Sequence, residues 1–336
     1  MDPISQGTVG VALAQSSASK SNILKISLIG LIAGLAPDID VVIKSSTDPI
    51  LFLEYHRQFS HSLFFIPFGA LIVAILFFLF FKNSLDFKQI YLASFLGYLT
   101  HGILDACTSY GTLLYWPFSN ERITWNNISI VDPILTIPIL IFVISAIKTK
   151  KKLFSYFAII WTIFYLSLGV LQYERALIIA NKLALSRGHN SEKLTLKPSF
   201  GNIILWKSIY HYEGYFYVDA IRVFNSSTWC SGDSIKKFDY QYHLPNLEKN
   251  SQQRNDIERF RWFSQDYLGF DDENKLVTDL RYSMIPNQIS PMWGIVIDDK
   301  KFANEHAIWW TSRNVNQDQL TLFSQMLFGK KCRDNL

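Results

Sequence analysis

The chain has 336 residues, 49% of them hydrophobic and 18% charged, with a formal net charge of +4. A soluble domain carries about a quarter charged residues, and the deficit here is local: residues 63–81 and 153–172 hold no charge, while charges recur every few residues from Glu174 onward. Uncharged runs of that length cross a hydrocarbon core, which excludes a wholly soluble protein, a disordered chain and a small disulfide scaffold. No Lys/Arg cluster is interleaved with aromatics, so no nucleic-acid partner is expected.

In chain order, residues 4–19 read as a short helix of small residues. Residues 23–37 read as a second helix, stopped by Pro37 and the acidic pair Asp38 and Asp40. The two form a hairpin turning at Ser16–Asn22, compatible with a re-entrant pair or with two full spans. No basic region precedes the first apolar run, so it does not read as a cleavable signal peptide. Clear spans are expected at 63–81, 90–107, 130–147 and 153–172; Pro67, Pro133 and Pro138 are tolerable there. The fold class is thus an α-helical membrane bundle, with about four clear transmembrane helices and an N-terminal helical hairpin, followed by a soluble α+β domain.

Short-loop lysines and arginines set the orientation. Lys20, Lys25, Lys82, Lys88, Lys148, Lys150, Lys151 and Lys152 lie on one side, against Lys44, Arg57 and Arg122 on the other. The lysine-rich side is cytoplasmic on this count. The 38–62 loop, the 108–129 loop and the C-terminal half then face outward, into the periplasm of a bacterial cell.

The division expected is a membrane domain over 1–173 and an extracytoplasmic α+β domain over 174–336. In the latter, strand-like runs fall at 203–209, 214–224, 275–282 and 293–298, and helix-like runs at 252–267 and 316–328. Cys230 and Cys332 both lie there, where an oxidising compartment would permit a disulfide; two unrelated thiols remain the alternative.

Ionisable residues in the membrane half gather at one face. Asp38 and Asp40 end the second helix; His56, Arg57 and His61 precede the 63–81 span. His101 and Asp105 sit near the outer end of the 90–107 span, and Asp132 starts the next. His101 and Asp105 are spaced i,i+4 and share a helix face. Asp38 and Asp40 converge only in a turn, and His56 and His61 only in a loop or at a helix end. A nitrogen and oxygen set of this kind suits zinc, with manganese or iron as alternatives, and has donors for one or two ions. Each piece has a plainer reading as a helix end, a structural hydrogen bond or an interfacial anchor. Together they are costly in a membrane unless functional.

These segments resemble the YdjM-like family of bacterial inner-membrane metal-dependent hydrolases. The resemblance runs over roughly residues 1–150, through MDPISQGTVGVALAQ, GLAPDID, HRQFSHS and HGILDACTSYGTLLYWPFSNERITW. It implies a membrane bundle with Asp38, Asp40, His56, His61, His101 and Asp105 as metal-ligand candidates. Many relatives carry Thr-His where this chain has Ser5-Gln6, so Gln6 stays outside that set. The 174–336 domain looks like the outer extension of longer members, and no catalytic residue transfers to it.

The function expected is metal-dependent hydrolysis by a metal-activated water. The substrate is an ester or phosphoester of a lipid or lipid-linked envelope intermediate at the periplasmic face. Arg57 is the candidate for holding an oxyanion or phosphate. Asp38 or Asp105, whichever is free of metal, is the candidate general base. Ser60, Ser62, Thr108 and Ser109 are candidates for positioning ligands, and Tyr115 and Trp116 for an interfacial belt. The alternative is a non-catalytic, membrane-anchored envelope protein with a structural metal and a partner-binding outer domain. Transport is disfavoured, because the ionisable groups cluster rather than line a path. His189, His211, His243 and His306 read as ordinary residues of the outer domain.

Overall fold

The computed structural model describes the whole chain except Asp299, Lys331, Asn335 and Leu336. It divides into two compact units. The first comprises Met1–Ile43, Tyr55–Val170 and Phe200–Asn202; the second comprises Lys44–Glu54, Leu171–Ser199 and Ile203–Leu336. The chain passes from the first to the second between Val170 and Leu171. The unexpected part is 44–54, which leaves the 38–62 loop of the helical unit to join the other. Arg259 holds it there through Asp48 and Glu54, as does Trp309, whose ring meets Phe52 edge-on at 5.1 Å.

The helical unit begins with α1 (Pro3–Gln15) and α2 (Ile23–Leu35), the expected hairpin. A 3-10 helix, Ala36–Val42, follows; α3 (Leu51–Tyr55) lies almost wholly in the 44–54 stretch of the second unit, after which come two further 3-10 turns, Phe59–His61 and Leu63–Phe65. The bundle is completed by α4 (Ile66–Phe81), α5 (Phe87–Ala106), α6 (Pro133–Thr149) and the start of α7 (Leu153–Ser186). α1 and α2 touch backbone to backbone: a β-carbon on Gly10 would sit 2.8 Å from the carbonyl oxygen of Gly30. Only glycine permits so close a crossing.

Along α4, the residues facing inward include Gly69, Ala70, Val73 and Ala74, while Phe68, Leu71, Ile72, Ile75, Leu79 and Phe80 are exposed. A helix that buries its small residues and shows its large ones is built for lipid rather than water. Among the described residues, two helices are long and apolar enough to cross a membrane, Leu63–Phe81 and Leu153–Ser186. That is fewer than the four expected. The helix at 90–107 forms as α5, with 20 residues, but its sequence is diluted by the polar groups it buries. The helix at 130–147 forms as α6, with only 17 residues.

The second unit is α+β. Its first sheet has the order β1-β2-β3-β4-β9, all antiparallel: β1 (Lys193–Pro198), β2 (Leu205–Tyr212), β3 (Tyr215–Val223), β4 (Ser227–Lys236) and β9 (Arg333–Asp334). The second has the order β5-β6-β7-β8: Leu268–Asp271, Leu276–Asp279, Trp293–Val296 and Ile308–Thr311. Helices α8 (Tyr240–His243), α9 (Gln252–Phe263) and α10 (Gln317–Leu327) complete it. α10 buries Phe323 and Met326 on Leu205, Ala220 and Ile285, and a Cys230–Cys332 disulfide ties the C-terminal segment to β4.

Candidate metal centre

Three pieces of the helical unit build the site. Pro37 begins the 3-10 helix Ala36–Val42, whose three residues per turn aim Asp38 and Asp40 at different neighbours. His61 closes the 3-10 turn Phe59–His61. His101 and Asp105 occupy successive turns at the end of α5. Gly102 lets α5 approach: a β-carbon there would collide with the carbonyl oxygen of His61.

Four donor atoms face one another. His61 Nε2 lies 3.0 Å from His101 Nε2, 3.3 Å from Asp38 Oδ1 and 3.3 Å from Asp105 Oδ2. His101 Nε2 lies 3.3 Å from Asp38 Oδ1 and 3.6 Å from Asp105 Oδ2. A tetrahedral ion with bonds of about 2.0–2.1 Å has donor–donor edges of ~3.3–3.4 Å, which these five separations bracket.

The far nitrogen of each ring is already engaged. His101 Nδ1 donates to the carbonyl oxygen of Gly34 at 2.6 Å. His61 Nδ1 faces Ser60 Oγ at 3.0 Å and Asp40 Oδ2 at 3.2 Å. Protons on both Nδ1 atoms turn the Nε2 lone pairs toward each other and toward two carboxylate oxygens. Such a set repels itself unless a positive charge, proton or metal ion, sits within it.

Asp40 stands one layer out. It accepts from the Arg57 backbone N–H (3.0 Å) and Ser60 Oγ (2.9 Å), and its other oxygen meets His56 Nδ1 at 2.8 Å. A carboxylate behind an imidazole is the usual arrangement for fixing a metal-binding ring. Asp38, Asp40 and His56 make a second group of donors within 4.8 Å of one another. Asp38 and His56, with side chains 28% and 20% exposed, form the open edge of the cluster, whereas those of Asp40, His61, His101 and Asp105 are sealed.

Arg57 is buried, its backbone in the left-handed region at φ 64°. Its NH1 donates to Thr108 Oγ1 at 3.1 Å, and its guanidinium stacks 4.6 Å from the Tyr110 ring centroid. Its Nε lies 3.1 Å from Asp105 Oδ2 without being aligned to donate to it. The other Asp105 oxygen accepts from Gln6 Nε2 at 2.9 Å and pairs with the Met1 amino group.

Electrostatics follow the geometry. Burial lowers the His61 imidazole pKa, but hydrogen bonds to Asp105, Asp38 and Asp40 outweigh it and raise it to about 10. Burial would raise the Asp38 and Asp40 carboxyls; hydrogen bonds from His101 and His61 to the first, and from His56 and His61 to the second, hold both well below the usual range.

The structure thus brings Asp38, His61, His101 and Asp105 to one point, with Asp40, His56 and Arg57 around them. Asp132 does something else: it caps α6, accepting from Ile134 N and Leu135 N, and takes the Tyr165 hydroxyl at 2.9 Å. Ser62 caps the following turn through Phe65 N. Sequence reasoning set Gln6 outside the ligands, and here it donates to Asp105; it missed the Gly34 carbonyl and Tyr98, whose hydroxyl donates to the Ser60 carbonyl oxygen at 2.8 Å. Neither of the missed groups carries a signal in the sequence. A separate group in the second unit, Asp48, Asp256 and His306, was also unforeseen; Arg259 is ion-paired with both of its carboxylates.

A family model described as YdjM inner membrane protein matches residues 1–176. The "Uncharacterized protein YfhP" of Bacillus subtilis (strain 168) is 32% identical over 111 residues, which is 33% of this chain and 33% of that protein. The match therefore spans about a third of that relative's length. No solved structure matches. The chain belongs to the YdjM inner membrane protein family, and its helical half is the part that carries the membership.

Proposed function

We propose that this member of the YdjM inner membrane protein family is a metal-dependent hydrolase, acting on an ester or phosphoester of a lipid or lipid-linked envelope substrate. One observation carries the reading: two imidazole nitrogens lie 3.0 Å apart and each lies 3.3–3.6 Å from two carboxylate oxygens, the spacing of a single ion's coordination shell. Asp38, His61, His101 and Asp105 would hold a divalent cation, zinc foremost and manganese or iron otherwise. When bound, such an ion lowers the pKa of a coordinated water toward neutrality and polarises the scissile group.

The chain's own residues do the rest. Asp40 and the Gly34 carbonyl fix the two rings. Arg57 balances the charge of Asp105 and stiffens the loop that carries His61. His56, backed by Asp40 at the open edge, is placed to take or return a proton. The helices α1, α2, α5 and α6 complete the bundle around the two long spans. The lysine distribution, and a disulfide that belongs in an oxidising compartment, support a periplasmic second unit and an outward-facing site.

A structural ion in a non-catalytic anchored protein is the second reading, favoured by one observation: four protein donors already fill a tetrahedral shell. Metal analysis of the detergent-purified protein, beside turnover of generic phosphoesters and carboxylic esters, separates the two. The enzymatic reading expects about one ion per chain and hydrolysis that both disappear in His101→Ala. Bound metal without turnover of any ester moves the protein to the structural reading. Full metal occupancy in His101→Ala overturns the ligand assignment.

A further inference from the structure

We propose that the 3-10 helix Ala36–Val42 is a bilayer-inserting element, whose aliphatic face enters the boundary between lipid headgroups and acyl chains and holds the open edge of the cluster at headgroup depth. The segment has two opposite sides. Asp40 is buried and Asp38 is turned toward His61 and His101. Ile39, Val41 and Val42 are 71%, 53% and 68% exposed. A single exposed aliphatic needs no explanation; three within four residues, on the strand of chain that supplies a buried carboxylate, make a patch.

What covers the patch follows from its neighbours. The 3-10 helix packs beside α4, the helix of the charge-free span, whose exposed flank is apolar throughout. At the start of that span, two residues beyond His61, Leu63 and Phe64 are exposed, and Phe64 meets the ring of Phe118 at 5.9 Å. Phe118 is 82% exposed and Tyr115, nearby in the same loop, is also open. Tyr115 and Trp116 in that loop are of the two residue types that collect at the headgroup layer. An apolar face at that level, with charges turned away from it, is the pattern of an interfacial segment. The patch is thus continuous with the lipid-facing flank of α4, and groups reaching the exposed edge of Asp38 come from the headgroup layer.

This inference rests on the membrane location and not on hydrolysis, so it stands or falls separately. The test uses the full chain with Val42→Cys or Ile39→Cys carrying an environment-sensitive fluorophore, and Asn83→Cys, in the exposed loop after α4, as reference. The native Cys107 is buried, and labelling without reductant keeps the Cys230–Cys332 bridge. In phosphatidylcholine vesicles, a nitroxide near the top of the acyl chain should quench positions 39 and 42 several-fold more than position 83. Iodide equilibrated on both sides should show the reverse order. Quenching of position 42 by iodide equal to that of position 83 overturns the proposal. Protection of positions 39 and 42 from both quenchers overturns it as well, by assigning the patch to a protein surface.

Discussion

The two units handle buried charge in opposite ways. In the α+β unit, buried carboxylates are answered by guanidinium groups: Asp279 by Arg281 at 2.8 Å, Asp219 by Arg187 at 2.7 Å, Asp256 by Arg259 at 3.0 Å. In the helical unit, Asp38, Asp40 and Asp105 crowd together with three imidazoles, and Arg57 is the guanidinium among them. Burial of a charge is tolerated only with compensation. The first pattern closes on itself, whereas the second is short of positive charge at one point. That difference separates a scaffold from a site, and it can be attacked from either end.

The largest effect expected is on metal. His61→Ala, His101→Ala or Asp105→Ala should each reduce bound zinc, measured by elemental analysis, from about one per chain to background. His306→Ala in the second unit should leave it unchanged. Acidification should strip the ion as well, because it competes with the proton that His61 holds up to a pKa of about 10. Equal loss from the His306 variant would erase the contrast between the units.

Next in size is the disulfide. Replacing Cys230 and Cys332 with Ser should destabilise the second unit by about 2–4 kcal/mol, read by denaturant unfolding, with metal content intact. Lys207 gives a pH signature of similar scale. It is buried, with neutral partners, Ser283 Oγ at 2.8 Å and the Gln288 carbonyl at 3.0 Å. Burial lowers its ammonium pKa from 10.5 to about 7. Between those values the folded chain holds fewer protons than the unfolded one, so stability should rise with pH, by up to about 1.4 kcal/mol per unit. Lys207→Met should reduce that slope, and the buried Lys197, lowered in the same way, accounts for part of what remains. The smallest effect expected is from Asp40→Asn, which keeps all four donors of the cluster but loosens the His61 ring. Metal affinity should fall about 10–100-fold in a chelator competition.

The sequence made some of this legible and hid the rest for physical reasons. His101 and Asp105 were readable because helical spacing alone puts them on one face. The hairpin of α1 and α2 was readable from its small residues and from Pro37. The order of layers at the cluster was not: whether Asp38 or Asp40 faces the rings depends on how a seven-residue 3-10 helix is rotated about its axis, which spacing cannot tell. The departure of 44–54 into the second unit was also hidden, because it depends on Arg259, some 200 residues away. Strand β4 reads STWCSGDSIK, without the alternation that marks a half-buried strand, and was missed. β2 and β3 carry enough large apolar residues to announce themselves. The span count was overestimated because α5 and α6 are apolar without being long and lipid-like throughout.

Position 57 shows how tightly this loop is constrained. The left-handed backbone there is comfortable for Gly or Asn and awkward for a long side chain, whereas the charge beside Asp105 calls for a guanidinium. No single residue type satisfies both, and Arg meets the second at the expense of the backbone. A change to Gly would relax the turn and leave the Asp105 carboxylate without its guanidinium; a change to Lys would keep a cation but lose the guanidinium set 4.6 Å over the Tyr110 ring. The loop between the two histidine segments therefore has no easy neutral route through sequence space.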